Sequence, residues 1–135
     1  MTGDPANRKA LAEYRMERAR ATLSAAQALS QQEEDPASVV NRAYYSMFYA
    51  ALALLATIGQ QTSKHSGVLA LFDEHFIKPK ILPKEMSKFL HLAFDVRHAG
   101  DYEDEAEITK EQALQVLESA IRFINSIEEK LSNQP

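Results

Sequence analysis

The 135-residue chain contains no cysteine, which excludes disulfides, thiolate zinc sites and cysteine nucleophiles. A chain without covalent staples suits a reducing compartment, and the expected location is the cytoplasm. Glycine and proline are scarce, with 4 and 5 residues, and most of them lie between stretches of regular hydrophobic spacing. That distribution favours helices over a turn-rich β architecture. Long apolar runs are missing too. The stretch around residues 50–58 is far short of a membrane span, and the first fifteen residues hold no apolar core of signal-peptide length. No association with a membrane is expected. Excess positive charge is also lacking: the formal net charge is −4, which argues against coating a nucleic acid by bulk electrostatics. Any such contact has to be local, through a few basic residues in a groove.

A hydrophobic content of 45% and a charged content of 25% are ordinary for a globular protein. At this length one domain can bury roughly two-thirds of its unfolded surface, so residues 1–135 are expected to form a single unit with its core over about 7–131. Five segments carry helical periodicity. The first, about 7–31, repeats Ala12, Met16, Ala19, Leu23 and Ala26 on one narrow face of small side chains. The second, about 36–58, opens on Asp35-Pro36 and carries Val40, Ala43, Tyr44, Met47, Ala51, Leu54 and Ile58, with Arg42, Tyr45, Ser46 and Tyr49 opposite. Gly59 is placed to end it in a left-handed conformation. Ser63 to Gly67 form a loop or the start of a short third helix, which carries Val68, Leu69, Leu71, Phe72 and Phe76 and stops at Lys78-Pro79. Pro83 opens a fourth, which Ala99-Gly100-Asp101 are expected to break. Thr109-Lys110-Glu111-Gln112 reads as a capping box at the head of the last. The fold class is therefore all-α, an antiparallel up-and-down bundle of four to five helices.

Three clusters carry chemistry. Arg97 falls four residues after Ala93 and seven after Leu90, inside the apolar face of its helix. A guanidinium there needs a carboxylate, water or a ligand, because an unpaired buried charge costs several kcal/mol. One reading makes it a last-turn cation that complements the helix dipole and pairs with Asp101; the other makes it a cation facing a groove, ready for a phosphate. His91, Asp95 and His98 share one flank of this helix, but no fourth ligand is evident, and a solvated flank is favoured over a metal site. The second cluster, Arg42, Tyr45, Ser46 and Tyr49, implies a helix covered on both sides, by the bundle and by another helix of the chain, a second protomer or a partner protein, a reading favoured over an RNA base stacked on tyrosine. The third, Ser63-Lys64-His65, precedes a helix and could hold an anion or simply form a cap.

NRAYYSMFYAALALL at 41–55, SKHSGVLALFDEHFIK at 63–78 and FDVRHAGDYE at 94–103 together resemble the HEPN family, the higher-eukaryote and prokaryote nucleotide-binding domain. The likeness spans about 14–127 and is strongest to small stand-alone prokaryotic members often encoded beside a minimal nucleotidyltransferase. The resemblance implies a helical bundle that dimerises through the polar faces lining its site, with no cofactor. Active members are metal-independent ribonucleases and commonly toxins of toxin–antitoxin pairs, with an arginine separated from a histidine by four to six intervening residues. Here the positions that follow Arg97 at that distance are Tyr102, Glu103 and Asp104, so the histidine does not carry over. The expected function is that of a toxin-type subunit binding a nucleotide or RNA, or a nucleotidyltransferase partner, in a groove containing Arg42, Tyr45, Tyr49, Arg97, Asp101 and Tyr102. Two alternatives stand beside it: a ribonuclease using Arg97 with His98 or His65, and a structural helical dimer with no nucleic-acid role.

Overall fold

The computed structural model describes residues 4–33, 35–102 and 107–133, and of residues 99–102 the backbone alone. Five α-helices run in order: α1 (Pro5–Gln31), α2 (Pro36–Thr57), α3 (His65–Phe72), α4 (Lys84–Tyr102) and α5 (Lys110–Ser132). A π-helical turn, Asp73–Ile77, prolongs α3. There is no strand among the described residues, and no helix there is long and apolar enough to cross a membrane.

Helix α2 is the central element, in contact with all the other helices. Its mean composition explains why: thirteen of its side chains are buried, far more than one stripe could supply. Against it lies α1, whose buried residues are Ala12, Met16, Ala19, Leu23 and Ala26. Three alanines on that seam let the two backbones approach closely, and this is the most extensive pairing in the molecule. Helix α5 covers a second side of α2 through Val116, Ala120, Phe123, Ile124 and Ile127. Phe72 of α3 meets Phe123 with ring centroids 5.5 Å apart, which ties the short helix to the core.

The helix ends follow local chemistry. Asp4 caps α1 by accepting the amide N–H of Asn7. Thr109 and Gln112 form the reciprocal capping box at α5. At the end of α2, Gly59 takes φ 71° and the amide N–H groups of Gly59 and Gln60 donate to the carbonyls of Ala56 and Leu55. That is the Schellman pattern, which a residue with a Cβ adopts only under strain.

Three expectations are corrected. Asp35 precedes α2 but its side chain makes no capping hydrogen bond. Ser46 is not on an outer polar face; it is fully buried, and its hydroxyl donates to the Ala43 carbonyl at 2.6 Å, a bond internal to the helix that lets a small hydroxyl enter a core. Finally, α4 does not break at Ala99-Gly100; it continues to Tyr102, so Arg97 is more than a turn from the helix end. A helical glycine costs only about 1 kcal/mol relative to alanine, too little to stop a helix unaided.

The alanine seam makes a direct prediction. Ala19, with no exposed surface, has no room for a larger side chain. Ala19→Leu is expected to lower the unfolding free energy by about 1–3 kcal/mol. Urea unfolding followed by circular dichroism measures this, and a stability equal to wild type would mean that α1 and α2 are not closely seated.

Candidate phosphate-binding groove

Tyr44 and Tyr45 are neighbours on α2, so their side chains diverge by about 100°. Tyr44 enters the core with no exposed surface, while Tyr45 is half-buried at the rim. Arg97 of α4 continues the seam of Leu90 and Ala93, both fully buried, and reaches the two rings. Its guanidinium carbon lies 5.5 Å from the Tyr44 ring centroid and 5.1 Å from that of Tyr45. Its Nη2 also donates to the Tyr45 hydroxyl at 3.3 Å. Each aromatic face replaces part of the lost hydration of the cation, an attraction of about 0.5–2 kcal/mol per ring in partly buried settings.

His65, the first residue of α3, joins the same cluster. Its ring stacks on Phe48 at 4.2 Å and lies 5.7 Å from Tyr44 and 5.6 Å from Tyr45. Its Nδ1 is 2.8 Å from the Tyr44 hydroxyl. The turn that delivers it is tight: a Cβ at Gly67 would come within 2.8 Å of Thr62 Oγ1. Thr62 Oγ1 in turn accepts the Lys64 amide N–H at 3.3 Å. Glycine at this position therefore lets residues 62–64 fold back over the start of α3 and hold the histidine in place. Ser63 and Lys64 stay exposed outside the cluster.

Burial pushes the Tyr44 hydroxyl well above the ordinary tyrosine range; the Arg97 charge opposes this in part, and Tyr45 adds to it. Burial also lowers the His65 pKa, and the positive charge of Arg97 lowers it further. Tyr44 is thus neutral at physiological pH, and His65 favours its neutral form.

The remaining residues expected from sequence are distributed along this face. Tyr49, one turn after Tyr45, has its ring centroid 6.0 Å from it. It accepts a hydrogen bond from Arg18 Nη2 of α1 at 3.1 Å, and the same guanidinium sits 4.4 Å above its ring. The result is an alternation Arg18, Tyr49, Tyr45, Arg97 across three helices. Arg42 is exposed one turn before Tyr45. His98 is exposed, with its ring stacked 5.5 Å from Phe94, which in turn meets Tyr44 at 6.0 Å. Asp101 and Tyr102 fall in the last turn of α4, and their side chains lie outside the described residues. His91 turns away to Asp73, with Nε2 2.7 Å from Oδ2, and among the described residues no three histidine or carboxylate groups converge as a metal site.

Sequence reasoning treated Tyr44 as one more member of an apolar stripe and did not single out Phe48, Phe94 or Arg18. The hydroxyl of Tyr44 was the available signal, since a buried phenol demands a hydrogen-bond partner. The identity of that partner, 21 positions away, is a tertiary fact.

An all-helical bundle with a half-buried cation of α4 packed on two tyrosine rings of α2 is the class of architecture the chain presents. The family model for the HEPN domain matches residues 12–130, and the chain belongs to the HEPN family. It is similar to a UPF0332 protein of Thermotoga maritima, 39% identical over 121 residues that cover 90% of this chain and 91% of the relative. It is 40% identical over 92 residues to the protein named "Putative toxin MJ0142" of Methanocaldococcus jannaschii, covering 68% of this chain and 63% of that protein. A UPF0332 protein of Gloeobacter violaceus is 32% identical over 117 residues, 81% of this chain and 92% of the relative.

The depressed His65 pKa has a stability consequence. The folded chain binds that proton more weakly than the unfolded chain, whose histidine titrates near about 6.5. The stabilising contribution is therefore intact above about pH 6.5 and is lost as pH falls through the lower folded value. Between about pH 7 and 5 the unfolding free energy of wild type is expected to fall more steeply than that of His65→Gln, measured by urea titrations at each pH. Parallel slopes would show that the ring is not held neutral.

Proposed function

We propose that this chain is the toxin-type component of a toxin–antitoxin-like module and acts by binding the phosphate of a nucleotide or RNA in the groove beside Arg97. Its partners in this reading are a second copy of itself and a minimal nucleotidyltransferase. The observation that carries the proposal is the seating of Arg97. The guanidinium is withdrawn from bulk water onto two tyrosine faces, where it has a fixed position and a reduced hydration shell. A cation so prepared loses little entropy or solvation on meeting an anion, and its planar fork matches phosphate oxygens.

Support comes from three further directions. Membership of the HEPN family agrees with it, as does the toxin name carried by the Methanocaldococcus relative. The Arg18–Tyr49–Tyr45–Arg97 alternation supplies stacking faces for bases between charges for the backbone. The arrangement also explains how a chain of net charge −4 holds an anionic ligand: the basic groups are few and placed in one groove.

Binding of a short single-stranded oligoribonucleotide and of adenosine monophosphate, in metal-free buffer, tests the proposal. Arg97→Ala is expected to weaken binding of both by about 10- to 100-fold, the range of a lost charge-assisted contact, while its circular dichroism spectrum stays helical. Equal affinities for wild type and Arg97→Ala would remove the groove from consideration. Co-expression with a nucleotidyltransferase encoded next to this chain is expected to give a co-purifying complex; separate elution of the two proteins would count against that partner.

A further inference from the structure

We propose that helix α4 is the contact surface for a second copy of this chain, and that the two copies lie antiparallel along it. The inference rests on the reading that a second copy is a partner, and it names the face, the direction and the forces.

Charge is divided between the two ends of α4. The turn that leads into it and its first turns hold Lys78, Lys80, Lys84 and Lys88, all exposed, with no acidic residue between Ile77 and Lys84. The Lys80 amide donates to the Ile77 carbonyl at 2.9 Å and the Leu82 amide to that of Phe76 at 2.8 Å, which holds the turn in one shape. None of the four ammonium groups has an ion-pair or hydrogen-bond partner among the described residues. Glu85, the first carboxylate of the helix, is already taken by Arg122 at 2.8 Å. The other end has the opposite sign. The sequence there places Asp101, Glu103, Asp104, Glu105 and Glu107 without one basic residue between Ala99 and Thr109.

These two groups cannot neutralise each other within one chain. From Lys84 to Tyr102 the 19-residue helix rises about 27 Å. The three residues after Tyr102 recover at most about 10 Å of that distance. A second copy running the opposite way brings each basic end to an acidic end, and two-fold symmetry makes the contact twice. A parallel copy would set like charges together, so the charges define the direction.

Between the ends lies an apolar stripe. Phe89, Leu92 and Val96 recur at helical spacing on one flank, and each is only half-buried, unlike Met86, Leu90 and Ala93 of the core seam. A pairing centred on Leu92 lays one stripe on the other. It also puts Lys88 of one copy opposite Asp95 of the other, and both side chains are exposed. Phe94 and His98 project from the opposite flank, where Phe94 meets Tyr44, so the groove beside Arg97 stays open in this dimer.

Sedimentation velocity of the full chain tests the proposal. Wild type is expected to be a dimer that loosens as salt is raised. One variant reverses the basic end, with Lys78→Glu, Lys84→Glu and Lys88→Glu. A second reverses the acidic side, with Asp95→Lys, Glu103→Lys and Glu105→Lys. Each alone is expected to dimerise at least about 100-fold more weakly, because like charges then meet, while its circular dichroism stays helical. Mixed in equal amounts, the two are expected to form a heterodimer in which every reversed end faces its opposite, a recovery that misfolded chains could not give. Leu92→Asp, at the centre of the stripe, is expected to yield monomers. Dimers that persist in either charge variant or in Leu92→Asp, or a mixture that stays monomeric, would overturn the inference. A monomeric wild type would remove both this face and the second copy as a partner, whereas a wild-type dimer untouched by the variants removes α4 alone.

Discussion

A guanidinium leaves water only where its surroundings replace what water supplied, and this requirement organises one whole side of the molecule. Arg97 meets it with two aromatic faces and a phenolic oxygen, all from α2. Consecutive tyrosines serve this purpose because they diverge: one ring can be rooted in the core while the next stays at the rim. Tyr44 is rooted by contacts with Phe48, Phe94 and the His65 ring. Its position fixes both flanking groups, since Arg97 packs against the ring and His65 Nδ1 is hydrogen-bonded to the hydroxyl. Replacing either tyrosine by an aliphatic residue would leave Arg97 with fewer partners, and replacing Arg97 would expose a concave aromatic surface. The cluster therefore behaves as one unit in which single deletions are not additive.

Much of the fold was legible because helices announce themselves locally. The seam of α1 coincides residue for residue with the periodic stripe read from sequence, because a helix covered along one side has one periodic solution. The capping box at Thr109 and the left-handed Gly59 are likewise decided within four or five residues of chain. The errors share a different origin. Gly100 was read as a breaker, yet a single glycine carries too small a penalty to outweigh a helix already anchored by Leu90 and Ala93. Ser46 looked like surface because serine usually is, but α2 is covered on so many sides that a hydroxyl returning its bond to the helix is tolerated inside. In both cases tertiary contact overrode a local preference.

The candidate site was legible in its parts and hidden in its assembly. Arg97 stood out by its phase on the helix, and Tyr45 and Tyr49 by theirs. That His65 would close on Tyr44 depends on a turn whose compactness requires Gly67 beside Thr62, and on the angle at which α3 meets α2. No periodicity carries this information. The same holds for Arg18, which on a helical wheel is one of several exposed cations of α1 and becomes distinctive only when Tyr49 is found beneath it.

The distance between sequence spacing and spatial role bears on how the family motif should be read in this chain. A histidine separated from an arginine by four to six intervening residues on one helix reaches the neighbourhood of that arginine by local geometry alone. Here the corresponding position is Tyr102, and the histidine that shares a microenvironment with Arg97 comes instead from the start of α3, 32 positions earlier in the chain. Functional constellations are defined by geometry and protonation, so two groups can be united from either arrangement. The arrangement does change the chemistry available. A histidine on an exposed helix end is free to take up and release protons near its ordinary pKa. One stacked on Phe48, bonded to a buried phenol and repelled by Arg97 has its pKa lowered, so its neutral form is favoured. Such a group is less apt to shuttle protons near neutral pH than a histidine in water.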